Sequence, residues 1–330
     1  MIKINLQDNY ITHEIKSIFQ NIAKKIVREI NPEFIKILTP ESTNLDITDE
    51  NIYRFLISSD YFKYKFSISS HTGNSMQDEE IRSFLNLPTT KWVKSKRNSN
   101  LICRQFNEKY YNNYNYLLDA FNYDKLSSEN RDIIISNMNI SVCPYCNMNY
   151  IINFDKNGKK SASADLDHFY PKSLYPFYSL CLYNFVPSCQ ICNSRLKGSI
   201  DMQVDTHVHP HFNNFGKDGY FKISNIIEAG SKTHTSDVII SLESKNSKVS
   251  KSNDVFKIEE RYKELKNKAA DYLNSARVYN ECYIDELNGL LNSSDVKTLI
   301  FGKELSEEDL LNESLGKFKM DLLKQLDIFR

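Results

Sequence analysis

Asp165-Leu166-Asp167-His168-Phe169-Tyr170-Pro171-Lys172-Ser173 lies between two cysteine pairs, Cys143-Pro144-Tyr145-Cys146 before it and Cys189-Gln190-Ile191-Cys192 after it. The pairs are separated by 42 residues, 147–188. Two such knuckles supply four thiolates, the donor set of a tetrahedral zinc site with no open position for chemistry. One Cys-x-x-Cys alone is shared with redox motifs, but nothing around these pairs reads as a βαβ unit. Structural Zn²⁺ held by Cys143, Cys146, Cys189 and Cys192 is therefore expected, with four reduced, buried cysteines as the alternative. Cys103, Cys181 and Cys282 have no partner at ligand spacing and read as core residues.

Within this segment, residues 150–154 and 161–167 read as two strands joined by Asp155-Lys156-Asn157-Gly158, where Asn-Gly is a strong hairpin signal. Upstream the texture is helical. Ile15, Ile18, Phe19, Ile22, Ile26 and Ile30 fall at three- and four-residue steps, Thr12 can cap the start and Pro32 closes the end. A short helix is expected near 49–57, and further helices over 76–87, over 102–121 and over 128–138. Downstream, two strands are expected near 220–226 and 238–242, and the Ser- and Lys-rich run 244–253 reads as an exposed loop or linker. A long helical pattern, one helix or two, follows over 254–291. Another starts at Ser306, where Ser306-Glu307-Glu308-Asp309 resembles a helix-start box.

The chain has 330 residues, 41% apolar and 25% charged, ordinary values for a globular protein. Its 42 basic residues balance 42 acidic ones. Such a balance excludes a generally basic coat, so contact with a polyanion must come from local patches. The segment 143–198 is locally basic, with six Lys or Arg against three Asp. No apolar run is long enough to span a membrane and the first residues lack the apolar core of a signal peptide, so a cytoplasmic protein is expected. Paired cysteines in that compartment point to metal rather than disulfides.

Three pieces follow one another in the central segment: Asp165 to Ser173 as quoted, then Leu182-Tyr183-Asn184-Phe185-Val186-Pro187, then Cys192-Asn193-Ser194-Arg195-Leu196-Lys197-Gly198. With these the chain resembles, over residues 143–198, the HNH endonuclease superfamily, the ββα-metal nucleases, in its four-cysteine zinc subclass. That superfamily places an Asp-His pair on one strand, an Asn on a second and a His or Asn at the start of a helix. The resemblance implies an α+β protein with a zinc-braced ββα-metal core over 140–215. A helical N-terminal region, 1–139, and a mostly helical C-terminal region, 216–330, would flank it.

The activity implied is metal-dependent hydrolysis of phosphodiester bonds in double-stranded DNA, leaving 5′-phosphate and 3′-hydroxyl ends. His168 would be the general base, since an imidazole can take a proton from water near neutral pH. Asp167 and Asn193 would hold one Mg²⁺ or Mn²⁺, with water and phosphate oxygens filling its other positions. Asn184 would hold the His168 loop by hydrogen bonds, and Lys197, ahead of Arg195, would neutralise the phosphate. Asn193 stands where many members carry His, and its harder oxygen favours Mg²⁺ or Mn²⁺ over softer ions. The layout, including Phe256-Lys257-Ile258-Glu259-Glu260-Arg261-Tyr262 before a long helix, is similar to HNH nuclease subunits of Septu-type anti-phage systems. That likeness implies an ATPase partner.

A zinc-braced nucleic-acid-binding or partner-docking module without catalysis is the alternative. Asp165 reads as an exposed strand residue or an extra ligand. His207, His209 and His211 look like a metal cluster but read rather as an exposed loop; in the functional reading His209 or His211 would line the phosphate channel or join the metal shell. Lys91-Trp92-Val93-Lys94-Ser95-Lys96-Arg97 reads as a backbone-binding patch or a solvated face. Tyr110, Tyr111, Tyr114 and Tyr116, at helical spacing, read as core.

Overall fold

The computed structural model describes residues 1–4, 10–29, 48–59, 119–173, 175, 178–224, 234–291 and 296–328. The helix expected over 76–87, most of that over 102–121, the basic stretch 91–97, the four tyrosines 110, 111, 114 and 116, and Cys103 lie outside these residues. Helix α1, His13–Glu29, buries Ile15, Ile18, Phe19, Ile22, Ala23 and Ile26 along one stripe. The Thr12 hydroxyl accepts the Ile15 amide at 3.4 Å, meeting one of the free amides of the first turn. Helix α2, Asp49–Ile57, packs on α1. Helix α3, Ser128–Asn137, is capped by Ser127, whose hydroxyl accepts the Asn130 amide at 3.2 Å.

Strands β1, Asn153–Lys156, and β2, Lys159–Ala162, form the expected hairpin. Asn157 and Gly158 both take positive φ, 56° and 76°, as a two-residue turn of the primed kind requires. The single strand expected over 161–167 is two strands. β2 ends at Ala162 on an exposed ribbon, and β3, Asp165–His168, turns inward to pair with β4, Phe185–Ser188. The register sets Asp165 opposite Ser188, Asp167 opposite Val186 and His168 opposite Phe185. A π-helical segment, Ile191–Lys197, follows at once and closes through the Gly198 amide on the Asn193 carbonyl at 2.7 Å. Gly198 has φ 53°, a conformation only glycine adopts without strain. π-turns are rare and concentrate at functional sites.

β5, Gly219–Ser224, and β6, Ile239–Ser244, make a third antiparallel pair. The stretch 244–253 is mostly helix, not linker. Asn246 accepts the Val249 amide at 3.0 Å and opens α4, Ser247–Phe256, which buries Val249, Ser252 and Phe256. Burial of Val249, Ser252 and Phe256, at three- and four-residue steps, outweighed the polar composition. The helical pattern over 254–291 is more than one or two helices: α4 ends at Lys257, at φ 49°, and α5, Ile258–Lys263, α6, Lys266–Val278, and α7, Glu281–Leu291, follow. α8 is Val296–Phe301. Ser306 and Asp309 do exchange capping bonds, but they open only a short 3₁₀ turn. Leu315, at φ 59°, interrupts the chain before α9, Gly316–Gln325.

One apolar core joins all three regions, including Ile2, Phe19, Phe121, Phe169, Phe185, Phe256 and Phe318. The first residues are stitched into it, with the Ile2 amide on Pro144 O at 2.8 Å and the Ile4 amide on Pro210 O at 2.7 Å. Cys181 is buried as expected, whereas Cys282 on α7 is exposed. Among the described residues no helix is long and apolar enough to cross a membrane.

Candidate functional site

The four cysteines of the two knuckles converge. Their sulfurs lie within 4.8 Å of one another and all four residues are buried. A zinc ion bound at about 2.3 Å from each thiolate fits such a cluster, so the described chain can hold a structural metal such as zinc here. Asn147, at φ 50°, makes the first knuckle by returning its amide to the Cys143 carbonyl at 2.7 Å. The second knuckle is the entry to the π-helical segment. Burial pushes the Cys143 thiol up, while its S–H, shared with Cys189, pulls the Cys189 thiol far down.

Two donors from outside the knuckles point at these sulfurs. Asn149 Nδ2 reaches Cys189 Sγ at 3.2 Å, and Arg261 Nη1 on α5 reaches Cys192 Sγ at 3.5 Å. Desolvation opposes the Arg261 charge, but the sulfurs of Cys146 and Cys192 more than offset it and hold the guanidinium above its ordinary value. Beside it the Tyr262 hydroxyl donates to the Cys146 carbonyl at 2.8 Å. Donors in the outer layer of a metal site commonly set its affinity by 10–100-fold. Arg261→Gln is accordingly expected to weaken zinc retention by roughly tenfold or more in a chelator competition. Unchanged competition would show that the guanidinium only packs there.

Side chains alternate along β3, so Asp165 and Asp167 share one face while Leu166 and His168 share the other. Asp167 is 4% exposed; one carboxylate oxygen accepts the Tyr145 hydroxyl at 2.7 Å and the other pairs with Lys197 Nζ at 3.1 Å. Lys197, 1% exposed, also donates to the His168 carbonyl at 2.6 Å. The ammonium expected at a phosphate is thus committed to orienting Asp167 and the end of β3. Asn193 projects from the first turn of the π-helical segment and donates to Asp165 Oδ2 at 3.0 Å. Asp165 is half-buried and bonded, rather than a solvated strand residue. The oxygen-bearing side chain nearest Asn193 is therefore Asp165, with Asp167 two residues along the same face.

His168 is fixed by a carbonyl and two rings. Its Nε2 lies 2.8 Å from Ser179 O, and Ser179 Oγ in turn donates to Phe121 O. A carbonyl only accepts, so Nε2 carries the proton and Nδ1 keeps the lone pair. Tyr123 meets the ring edge-on at 4.6 Å and Phe185 at 5.3 Å. Burial lowers the imidazole to about 3, against a partial upward effect of the Ser179 carbonyl, and the charges of Lys172, Lys197 and Arg131 lower it further. The ring is neutral at physiological pH.

Asn184, fully buried, uses its whole amide on the loop after His168. Its oxygen accepts the Tyr170 amide at 2.7 Å, and its nitrogen donates to Tyr170 O at 3.1 Å and Tyr178 O at 2.9 Å. Its backbone carbonyl takes the Phe169 amide at 2.9 Å.

The 207–211 loop is not exposed throughout. His209 is 0% and His211 6% exposed, because Val208 and Pro210 carry the loop into the core. His209 packs on Phe169, and His211 Nε2 lies 2.7 Å from Phe185 O, so it braces the strand opposite His168. Among the described residues the three histidines form no metal cluster. Burial holds His211 down at about 4, partly opposed by the Phe185 carbonyl. A base whose folded value is depressed favours the fold above its unfolded value near 6.5. That contribution, on the order of 3 kcal/mol, is lost as pH falls from about 6.5 through about 4. His211→Gln should therefore lose less stability than the parent between pH 7 and pH 4.5 in urea titrations; equal losses would place the acid sensitivity elsewhere.

No family model matches this chain, and no solved structure matches it. It is similar to one curated protein, Protein ea31 of Escherichia phage lambda. The two are 32% identical over 82 residues, covering 24% of this chain and 23% of that protein. The chain thus matches under a quarter of its relative's length. Tyr123, Arg131, Tyr145, Ser179 and Arg261 were not legible as site residues. Tyr145 sits inside a knuckle, Ser179 inside the segment 143–198 and Arg261 in the quoted stretch 256–262, but none stands at a motif position, and Tyr123 and Arg131 come from segments with no motif of their own.

Proposed function

We propose that this chain is an HNH-type endonuclease that hydrolyses DNA phosphodiester bonds with one hard divalent ion. What supports this most directly is a neutral imidazole held through Nε2, with Nδ1 bare, at the end of a strand whose other face carries Asp165 and Asp167 opposite Asn193. The donor set fits Mg²⁺ or Mn²⁺, since all three side chains offer oxygens and Asn193 already lies at bonding distance from Asp165. Asp167 and Asn193 would hold the ion, with Asp165 as the adjoining carboxylate. Each Asp167 oxygen makes one hydrogen bond and retains a further lone pair. When bound, the ion supplies positive charge to the phosphate and to the departing 3′ oxygen.

The residues divide the remaining work. His168 Nδ1 takes a proton from the attacking water as its oxygen bonds to phosphorus and the bond to the 3′ oxygen breaks. The 3′ oxygen is then protonated from solvent. Strand alternation keeps His168 off the carboxylate face, so the imidazole is not consumed as a ligand. Burial holds its basicity down first and the nearby cations of Lys172, Lys197 and Arg131 add to it; a phosphodiester beside those cations relieves only their part. Asn184 positions the loop that carries the ring, and Lys197 positions Asp167. In the cell this reading extends to prokaryotic anti-phage defence beside an ATPase partner.

The test is plasmid cleavage by the purified protein with Mg²⁺ or Mn²⁺, beside an EDTA control and His168→Ala. Metal-dependent nicking that the substitution removes supports the proposal. One observation favours a second reading: Asp167 is already satisfied by Lys197 and Tyr145, as a purely structural carboxylate would be. Absence of cleavage even with a candidate ATPase partner would leave a zinc-braced nucleic-acid-binding or docking module.

A further inference from the structure

Beside His168, two cations share one aromatic ring. The Arg131 guanidinium of α3 lies 4.9 Å from the centre of the Tyr123 ring, and Lys172 Nζ lies 4.9 Å from the same point. The two charges are therefore less than about 10 Å apart, and the π face offsets part of their repulsion. Among the described residues neither meets a carboxylate at ion-pair distance; Arg131 donates Nε–H to Ser127 O at 3.5 Å, a marginal bond. Lys197 is neutralised by Asp167, and Asp165 is engaged by Asn193. Two cations without an ion-pair partner among the described residues thus stand at this ring, and Asp165 and Asp124 are the carboxylates that act on it.

The Tyr123 ring itself is covered. It touches His168 at 4.6 Å and Phe185 at 5.9 Å as well as both cations, which leaves little of it to stack a base. An anion that bridges the cations fits better than an aromatic ligand.

We propose that Arg131, Lys172 and Tyr123 form a phosphate grip that holds a backbone phosphate of DNA against the His168 side of the site. Only the choice of DNA as the source of that phosphate rests on the endonuclease reading. The grip joins regions the sequence kept apart. Arg131 belongs to the N-terminal helical region and Lys172 to the loop after β3, so that region forms a wall of the site. Arg131 contributes a planar fork that matches two phosphate oxygens, and Lys172 contributes a point charge. Tyr123 holds both beside the imidazole.

The experiment measures anisotropy of a labelled DNA duplex on the full-length protein across a salt series, without added Mg²⁺ or Mn²⁺. Arg131→Gln and Lys172→Gln are compared with the parent, and zinc content and thermal unfolding are recorded for each. Each substitution should weaken binding several-fold and flatten the dependence of log K on log salt by about one unit. Lys172 is exposed, so its variant remains informative if Arg131→Gln fails to fold. Parental affinity and salt slope in Lys172→Gln, or no duplex binding by the parent, overturns the grip. Plasmid cleavage separates the two ideas. Variant-sensitive binding without any cleavage leaves the grip standing and removes the endonuclease. Cleavage with variant-insensitive binding does the reverse.

Discussion

Cys192→Ser should cost the protein its zinc and most of its stability together. The four sulfurs tie the turn at 143–146 to the start of the π-helical segment, and Asp165, Asp167, His168, Asn184, Asn193 and Lys197 lie between or just beyond those anchors. Structural zinc contributes on the order of 10 kcal/mol in small domains. Whole domains are stable by only about 5–15 kcal/mol. Losing one of four ligands therefore removes a share comparable to the total. The expected outcome is sub-stoichiometric zinc by elemental analysis, a fall in melting temperature of more than about 10 °C, and sensitivity to chelator that the parent resists. Cys181→Ser is the control, because Cys181 is equally buried but outside the cluster. A Cys192→Ser protein with one bound zinc and a parental melt would sink the structural-metal assignment.

His168→Ala should lower the cleavage rate by roughly 10²–10⁴-fold, the usual contribution of a positioned general base. The loss should fall on kcat, because the ring acts on the attacking water rather than on ground-state binding. Zinc content should not change, since the ring contacts Tyr123, Phe185 and Ser179 O and none of the sulfurs. Removing a buried ring leaves a cavity, so a modest drop in melting temperature is expected and does not count against the assignment. Added imidazole that restores part of the rate to the alanine variant, but none to Asn184→Ala, would separate proton transfer from positioning. Undiminished cleavage by a folded His168→Ala protein would remove the imidazole from the mechanism.

Local order was the most legible part. Asn157-Gly158 makes its turn because both residues tolerate positive φ, a property each carries regardless of context. The α1 stripe and the Thr12 cap follow from spacing in the same way. The stretch 244–253 was misread because Ser and Lys dominate it, while only burial of Val249 and Phe256 against the core selects the helix. Lys257 and Leu315 break helices through left-handed backbone that their side chains do not advertise. The 207–211 histidines resemble a surface cluster in one dimension, yet packing around Phe169 and Phe185 draws two of them inside.

By itself the sequence determined that two cysteine pairs bracket an Asp-His strand and Asn184, with Asn193 directly after the second pair, because ligand spacing and strand period are local properties. Tertiary structure alone decided which partners those groups meet. Lys197 is turned inward to Asp167, Asn193 falls beside Asp165, and Arg261 and Arg131 arrive from distant helices at the sulfurs and at His168. Those choices follow from closing one apolar core around all three regions, and burial leaves each enclosed charge stable only where a partner awaits it.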